Sequence, residues 1–422
     1  MIILEYKIKG KQHQFQAIDE AILTGQFVRN KALRYWMDNR DINKYDLNKY
    51  CAVLAKEFDF ANKLNSTARQ SSAERAWSGI SRFYDNCKKK IPGKKGYPKF
   101  KKYSRSVEYK HSGWKLDQST KKHITFSDKN NIGKVKLVGS RDIYHYQPEQ
   151  IKRVRLVRRA DGYYCQFRIA IEVKEDMQPT GRAVGLDMGL QFFYTDNFGH
   201  TEENPRFYRK SEKRLNRLGR RLSRKYCNLN KGKSGKLMVK NPKQRQSNNY
   251  HKARVAKAKQ HLRVSRQREE HAKRLARCVC ASNDCIVYED LKVKNLVRNH
   301  KLSKSITDAG WTQFRKWVEY FGNKFGKITI AVPPNYTSQD CPACDKRVKK
   351  SLSTRTHVCE CGCIMPRDQA SGILILKKGL NTVGHTGIYA WGDTPSWAVG
   401  ASLSSNGESL NQESPPSSDV RS

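Results

Sequence analysis

The chain has 422 residues, with 83 Lys+Arg against 39 Asp+Glu, a formal net charge of +44. A compact fold carrying that surplus repels itself unless a polyanion neutralises it, and nucleic acid is the polyanion that rows of Lys and Arg suit best. A mean hydropathy of −0.81 and the lack of any apolar run near 20 residues argue against a membrane-spanning chain or a membrane partner.

MIILEYKIKGKQHQ at the start lacks the order of charge, apolar core and cleavage site of a signal peptide. Of the 12 cysteines, Cys51, Cys87, Cys165, Cys227, Cys278, Cys280 and Cys285 are scattered, and the rest cluster between 341 and 363. The pattern predicts a reducing cytoplasm and one metal site rather than a disulfide scaffold.

In chain order, IILEYKIK at 2–9 predicts a short strand, and residues 12–95 predict helices. Apolar positions from Phe27 to Trp36 recur at helical spacing, and Thr67-x-x-Gln70 has the form of a capping box. Pro92, Gly93, Gly96 and Pro98 end this segment. Residues 100–175 change to β: HITFS, KVKLV, and RVRLVRRADGYYCQFRIAIEV, in which Asp161-Gly162 signals a hairpin. Val154 and Leu156 alternate with Arg153 and Arg155, so one face is apolar and the other basic. That pattern suits an RNA-binding face and a solvated sheet face equally well. Residues 206–280 hold 26 Lys+Arg against three acids, Glu212, Glu269 and Glu270. Solvated helix faces mix signs, so this region predicts nucleic-acid contact. Residues 226–249 read as a flexible turn between two helices. The last segment, 381–422, has one Arg, no Lys and four acids and predicts a disordered tail; Trp391 and Trp397 are its candidates for local docking.

Three carboxylates stand beside apolar runs. Asp187 follows Ala183-Val184-Gly185-Leu186, and Glu289 ends Cys285-Ile286-Val287-Tyr288. Asp368 precedes Ala370-Ser371-Gly372-Ile373-Leu374, a helix start, where an N-cap role competes with a metal-binding one. Carboxylates that end buried strands are costly unless they are ligated. Such a set can bridge two divalent ions about 4 Å apart for phosphodiester hydrolysis, and Mg²⁺ prefers oxygen ligands of this kind.

Between Glu289 and Asp368 lie Cys341-Pro-Ala-Cys344 and Cys359-Glu-Cys361. Two close thiol pairs on short turns can close a tetrahedral zinc site, with Cys363 able to replace Cys359 or Cys361. A ribbon this small does not fold without its metal. Arg355, Lys346, Arg347, Lys349 and Lys350 surround it and can touch nucleic acid.

Taken together, VGLDMGL at 184–190, SNNYHKARVAKAKQHLR at 247–263, VYEDLKVKNL at 287–296, GWTQF at 310–314, PPNYTSQDCPAC at 333–344 and CGCIMPRDQA at 361–370 resemble TnpB (OrfB), the nuclease family of bacterial insertion sequences related to compact type V CRISPR effectors. The resemblance covers roughly residues 1–380. It implies an α/β multidomain fold: an RNase H-like RuvC nuclease domain with a zinc-finger insert, and an N-terminal wedge β-barrel with a helical recognition insert. The corresponding ranges are 1–10 and 96–180 for the wedge, 11–95 for the helical insert, 181–335 and 364–380 for RuvC with the basic helices at 206–282, and 336–363 for the zinc finger.

By the family's motifs Asp187, Glu289 and Asp368 are the catalytic triad holding two Mg²⁺ ions, and Cys341, Cys344, Cys359 and Cys361 hold one structural Zn²⁺. The second cysteine pair departs from the family's C-x2-C, because Val358 stands where the first cysteine belongs and Cys359 comes one position late. Pro366-Arg367-Asp368-Gln369-Ala370 also departs from the usual DRD-x-N.

The implied activity is RNA-guided DNA cleavage, with a guide RNA from the element's end and a target double-stranded DNA as partners, by a monomer or a dimer. Base pairing reads the target while protein reads a short adjacent motif. Gln70 and Arg75 are the candidates for reading that motif, and Arg254, Arg263 and Arg355 for holding nucleic acid. Two other classes compete: a guide-RNA-dependent DNA binder with a decayed nuclease, and a transposase that joins strands itself.

Overall fold

The computed structural model describes residues 1–383 apart from 121, 173, 176, 227–245 and 352. The chain divides into two compact units, Met1–Val173 and Lys174–Ser422. The expected turn at 226–249 and the expected tail fall almost wholly outside the described residues.

In the first unit, strand β1 (Ile2–Lys9) leads directly into helices α1 (Gln12–Asp38), α2 (Lys44–Glu57), α3 (Asp59–Lys63) and α4 (Ser66–Lys88). Strands β2 (Ser106–Tyr109), β3 (Trp114–Leu116), β4 (His123–Phe126), β5 (Gly133–Val138), β6 (Ile151–Arg159) and β7 (Gly162–Ile169) follow. They form a seven-stranded sheet in the order β2-β6-β7-β1-β5-β4-β3.

The edges of this sheet, β2 and β3, are joined by a single turn at His111–Gly113. Five Cα steps from Tyr109 to Trp114 reach at most about 19 Å, whereas a flat sheet of seven strands would separate its edges by about 29 Å. The sheet must therefore curl. It curls over a core that includes Tyr109, Phe167, Ile18 and Ile124, all fully buried.

One expectation is corrected in this unit. Helix α4 starts one residue before Thr67, and Asn65 is its N-cap, accepting from the Thr67 amide at 2.8 Å and the Thr67 hydroxyl at 2.6 Å. The Asn side chain takes the cap because it sits before the first helical residue, where the orphan amides point. The basic face of β6 is not a free one. Glu108 on β2, 4% exposed, pairs with both Arg153 and Arg155, and Glu74 on α4 pairs with Arg153. Burial pushes the Glu108 carboxyl up, but the two guanidiniums outweigh it and hold it below the usual range.

The second unit is built on β8 (Ala183–Asp187), β9 (Phe192–Asp196), β10 (Thr201–Glu203), β11 (Cys285–Glu289) and β12 (Ile328–Val332), in the order β10-β9-β8-β11-β12. Strands β8, β11 and β12 are parallel to one another, and β9 is antiparallel to both β8 and β10. Every residue of β11 is buried, as expected of a central parallel strand covered on both faces. Helices α6 (Asn248–Ser282) and α9 (Trp311–Phe325) pack through Ala276, Val279, Phe314 and Val318 on one apolar cluster with β8 and β11. Helix α10 (Arg367–Val383) packs Ile375 and Leu376 against Ala183, Val287 and Val332 in another.

Helix α5 (Phe207–Lys225) precedes α6. Its first turn is held by Asp308 of α8 (Ser303–Ala309), which accepts from the Tyr208 and Arg209 amides and from the Arg268 guanidinium. Between β11 and α8 lies the short helix α7 (Val293–Leu296). Hairpin β13 (Thr356–Val358) and β14 (Ile364–Pro366) is inserted between β12 and α10.

Candidate functional site

Parallel pairing of β8 with β11 puts Leu186 opposite Tyr288, so the next residues, Asp187 and Glu289, lie together at the same end of the sheet. Helix α10 brings in the third carboxylate. It crosses β8 at a contact only glycine allows: a Cβ at Gly185 would lie 2.2 Å from the Gly372 carbonyl oxygen and 2.8 Å from Leu376. The Gly185 amide is turned sideways to the Asn197 side chain, which accepts it at 3.0 Å. Asp368 lies in the first turn of α10, inside the helix rather than at its N-cap, and a carboxylate there is favoured by the helix dipole.

Asp187 feels both partners. Burial pushes its carboxyl well above the usual range, the charges of Glu289 and Asp368 push it further, and Arg367 opposes them. Glu289 is 6% exposed. Burial raises its carboxyl too, against the Thr337 hydroxyl and the Lys378 ammonium. Among the described residues, none of the three carboxylates makes an ion pair. Neighbouring acids without a paired cation hold protons more tightly and would bind a cation well. Their oxygens do not all come within 4.8 Å of one another as the cysteine donors do. Beside Glu289 opens a cavity of about 420 Å³ lined by Met188, Lys292, Trp311, Arg315 and Lys316.

The second cluster is in the insert. A backbone turn at Cys341–Asp345 and the tip of the β13–β14 hairpin face each other. Sulfurs of Cys341 and Cys361 are 3.6 Å apart, and those of Cys344 and Cys359 are 3.5 Å apart. A disulfide would need about 2.05 Å, whereas a tetrahedral zinc thiolate site spaces its sulfurs about 3.8 Å apart. All four sulfurs lie within 4.8 Å of one another, so this cluster can hold a metal ion.

Burial pushes the Cys341 thiol up, but the Cys344 and Ala343 amides, with His357 and Cys361, bring it down to about 6. Cys341 also belongs to a second set with His357 and Cys363. His357 is fully buried. Its Nδ1 faces the Lys350 ammonium, which has only protons to offer.

The expected nucleic-acid residues have different settings. Arg254 and Arg263 are exposed on α6, and among the described residues neither makes an ion pair. Between α5 and α6 is a cavity of about 370 Å³ lined by Tyr208, Asn216, Arg220, Lys257 and His261. Arg355 is exposed beside the hairpin, where its carbonyl receives the Arg367 amide at 2.8 Å. Gln70 and Arg75 are committed inside the first unit. Arg75 donates to the Ser106 carbonyl and hydroxyl, and Gln70 accepts from Lys110. Gln70 would have to give up its bond from Lys110 to read a base with both its oxygen and its NH2. Sequence reasoning passed over Thr337 and Asn197, whose roles depend on contacts 48 and 12 residues away; for Thr337 its polar character inside the 333–344 motif was the only available signal.

Residues 166–300 match the family model OrfB_IS605, described as "Probable transposase", and residues 311–375 match the TNB domain of Cas12f1-like proteins. The chain resembles TnpB-like proteins in both matched segments. This TnpB-like chain is 26% identical over 355 residues to InsQ of Escherichia coli strain K12, covering 79% of itself and 81% of that relative. It is 32% identical over 203 residues to a protein of Streptomyces pristinaespiralis, covering 48% of itself and 46% of that relative, less than half its length. Both relatives carry the name "Putative RNA-guided DNA endonuclease". Among solved structures the fold is similar to the protein in a Cas12f1–sgRNA–target DNA complex, with a TM-score of 0.50 and 12% identity over 86% of this chain and 83% of that one. Among the described residues no helix is long and apolar enough to cross a membrane.

Proposed function

We propose that this TnpB-like chain is an RNA-guided DNA endonuclease that hydrolyses phosphodiester bonds at Asp187, Glu289 and Asp368. The observation that carries the reading is geometric: the register of β8 and β11 and the close crossing of α10 bring three carboxylates from separate segments to one sheet end, with no ion pair among the described residues. The strand order β10-β9-β8-β11-β12, with only β9 reversed against its neighbours in the mixed sheet, supports an RNase H-type, RuvC-like domain. Family and relatives support guide RNA and target DNA as partners.

Divalent ions such as Mg²⁺, once bound, would supply the charge that activates a water and stabilises the leaving oxygen. Asp187, Glu289 and Asp368 would hold those ions and fix their spacing. Thr337 donates to one Glu289 oxygen and leaves the other open. Arg254, Arg263 and the α5–α6 cavity would hold the phosphate backbone of a guide or heteroduplex, by shape and charge rather than base identity. Cys341, Cys344, Cys359 and Cys361 would hold one structural Zn²⁺, whose thiolate spacing they fit.

The test is to purify the protein from cells carrying its native flanking DNA, sequence the bound RNA, and offer the complex a target plasmid library with Mg²⁺. The expected result is one discrete RNA and linearised targets that share a flanking motif. Bound RNA with motif-dependent retention but no cutting would leave a guided binder. An absence of specific RNA, with strand joining of element ends, would favour a transposase.

A further inference from the structure

We propose that Thr337 is a positioning residue that orients Glu289 toward its divalent ion, and that the cysteine knuckle holds Thr337 in place; this rests on the nuclease reading above. Thr337 is 3% exposed, and its Oγ1 lies 2.5 Å from Glu289 Oε1. Among the described residues it is the only group that hydrogen-bonds this carboxylate. A hydroxyl has one proton to give. The Pro334 carbonyl, at 3.2 Å, competes for it, but donation to an ionised carboxylate is shorter and roughly twice as strong. With Oε1 held by Thr337, Oε2 is the oxygen free to ligate. The carboxylate cannot then rotate freely between ion-facing and ion-averted positions.

The loop that carries Thr337 is fixed from three sides. Tyr336, just before it, has φ +63, a left-handed conformation unfavourable for a bulky side chain. The Arg347 guanidinium lies 3.5 Å from the Tyr336 ring centroid. Val348 donates to the Gln339 carbonyl at 2.9 Å, and Lys350 to the Ser338 carbonyl at 3.2 Å. Arg347, Val348 and Lys350 all sit between the two cysteine pairs, so their positions depend on a knuckle that needs its metal to fold. From α10, Lys378 donates to the Asn335 carbonyl at 2.7 Å, and Lys377 pairs with Asp345. The knuckle thus touches the carboxylate site at both ends, through Thr337 on entry and through α10, which bears Asp368, on exit.

The test uses the full chain with its guide RNA and a zinc-loaded knuckle. Mn²⁺ is the probe, titrated by the electron paramagnetic resonance signal of the free ion. Thr337→Val, which keeps the shape and removes the hydroxyl, is expected to weaken Mn²⁺ binding about 10-fold, the usual range for an outer hydrogen-bond partner of a metal ligand. Thr337→Ser should stay near wild type. Both variants should keep the wild-type zinc content by mass spectrometry. In cleavage, Thr337→Val should raise the Mg²⁺ needed for half-maximal rate, with most of the rate recovered at saturating Mg²⁺. Wild-type Mn²⁺ affinity in Thr337→Val overturns the proposal. So does equal weakening in Thr337→Ser with lost zinc, which would make the residue merely structural. Mn²⁺ binding that survives Asp187→Asn and Glu289→Gln would instead sink the nuclease reading itself, a separate result visible in the same titration.

Discussion

Strand β11 has a buried carboxylate at each end, Asp284 just before it and Glu289 as its last residue. Asp284 accepts from the Thr180 and Gly181 amides and from Lys327, itself buried, at 2.6 Å. Burial pushes its carboxyl up, but Lys327 and the two amides overcome that and hold it below the usual range. Glu289, with Asp187 and Asp368 nearby, receives one hydroxyl, and its carboxyl is raised. The same strand therefore carries a self-neutralised acid at one end and, at the other, an acid in a cluster that makes no ion pair among the described residues. The first arrangement stabilises the fold; the second is the one that the proposed divalent ions would neutralise.

The largest effect expected at the unpaired end is on chemistry. Asp187→Ala should abolish target cutting while leaving guide-RNA retention intact, checked by plasmid linearisation and by sequencing the co-purified RNA. Full-rate cutting by that variant would remove the functional half of the comparison. At the paired end the loss should be stability. Asp284→Ala leaves the buried Lys327 ammonium without its counter-charge and with only the Gln178 carbonyl to donate to, a change that costs about 3–5 kcal/mol, read as a lowered melting temperature. A melting curve like wild type would mean the Asp284–Lys327 pair is not structural. Cleavage by whatever fraction stays folded should persist, since Asp284 lies at the opposite end of the strand.

These two carboxylates could not be ranked by sequence in the same way. Glu289 was legible because an apolar run ends in an acid inside a family motif. Asp284 is equally acidic and adjacent to the same run, but its partner Lys327 is 43 residues away, across a parallel pairing that no local pattern reveals. The same blindness explains Arg153 and Arg155, whose partners Glu108 and Glu74 reach them from a neighbouring strand and from α4. Local periodicity found β1, the β6–β7 hairpin and the basic helices α5 and α6, because each is encoded by residues close in sequence. Cross-strand neighbours, the reach of Thr337 and the cap at Asn65 depend on tertiary contact or on a competing residue.

Between the two ends, packing sets how Asp368 reaches Asp187. Gly185→Ala would push a methyl into the Gly372 carbonyl and force α10 away from β8. The expected cost is about 1–3 kcal/mol of overpacking, with a cleavage loss larger than the stability loss implies, because Asp368 moves with the helix. Comparing melting temperature with the Mg²⁺ dependence of cutting separates the two. An unchanged Mg²⁺ dependence would show that this contact does not set the carboxylate spacing.

The smallest effect is a gain. Glu289→Gln keeps an oxygen to accept from Thr337 and removes a buried charge, so in Mg²⁺-free buffer containing zinc it should stabilise the chain by about 1 kcal/mol. The pH dependence has opposite signs at the two ends. A raised folded-state pKa, as at Asp187 and Glu289, means the folded chain holds its protons more tightly. Their stability penalty appears as pH rises through the ordinary carboxylate range and is complete above the raised values. The depressed Asp284 carboxyl instead contributes stability above that range, which is lost as pH falls through its lowered value. The advantage of Glu289→Gln over wild type should therefore shrink on acidification toward the ordinary carboxylate range. Added Mg²⁺ should reverse it at neutral pH, where the ions stabilise wild type and not the variant. A pH-independent advantage would mean that the gain comes from repacking rather than from the lost charge.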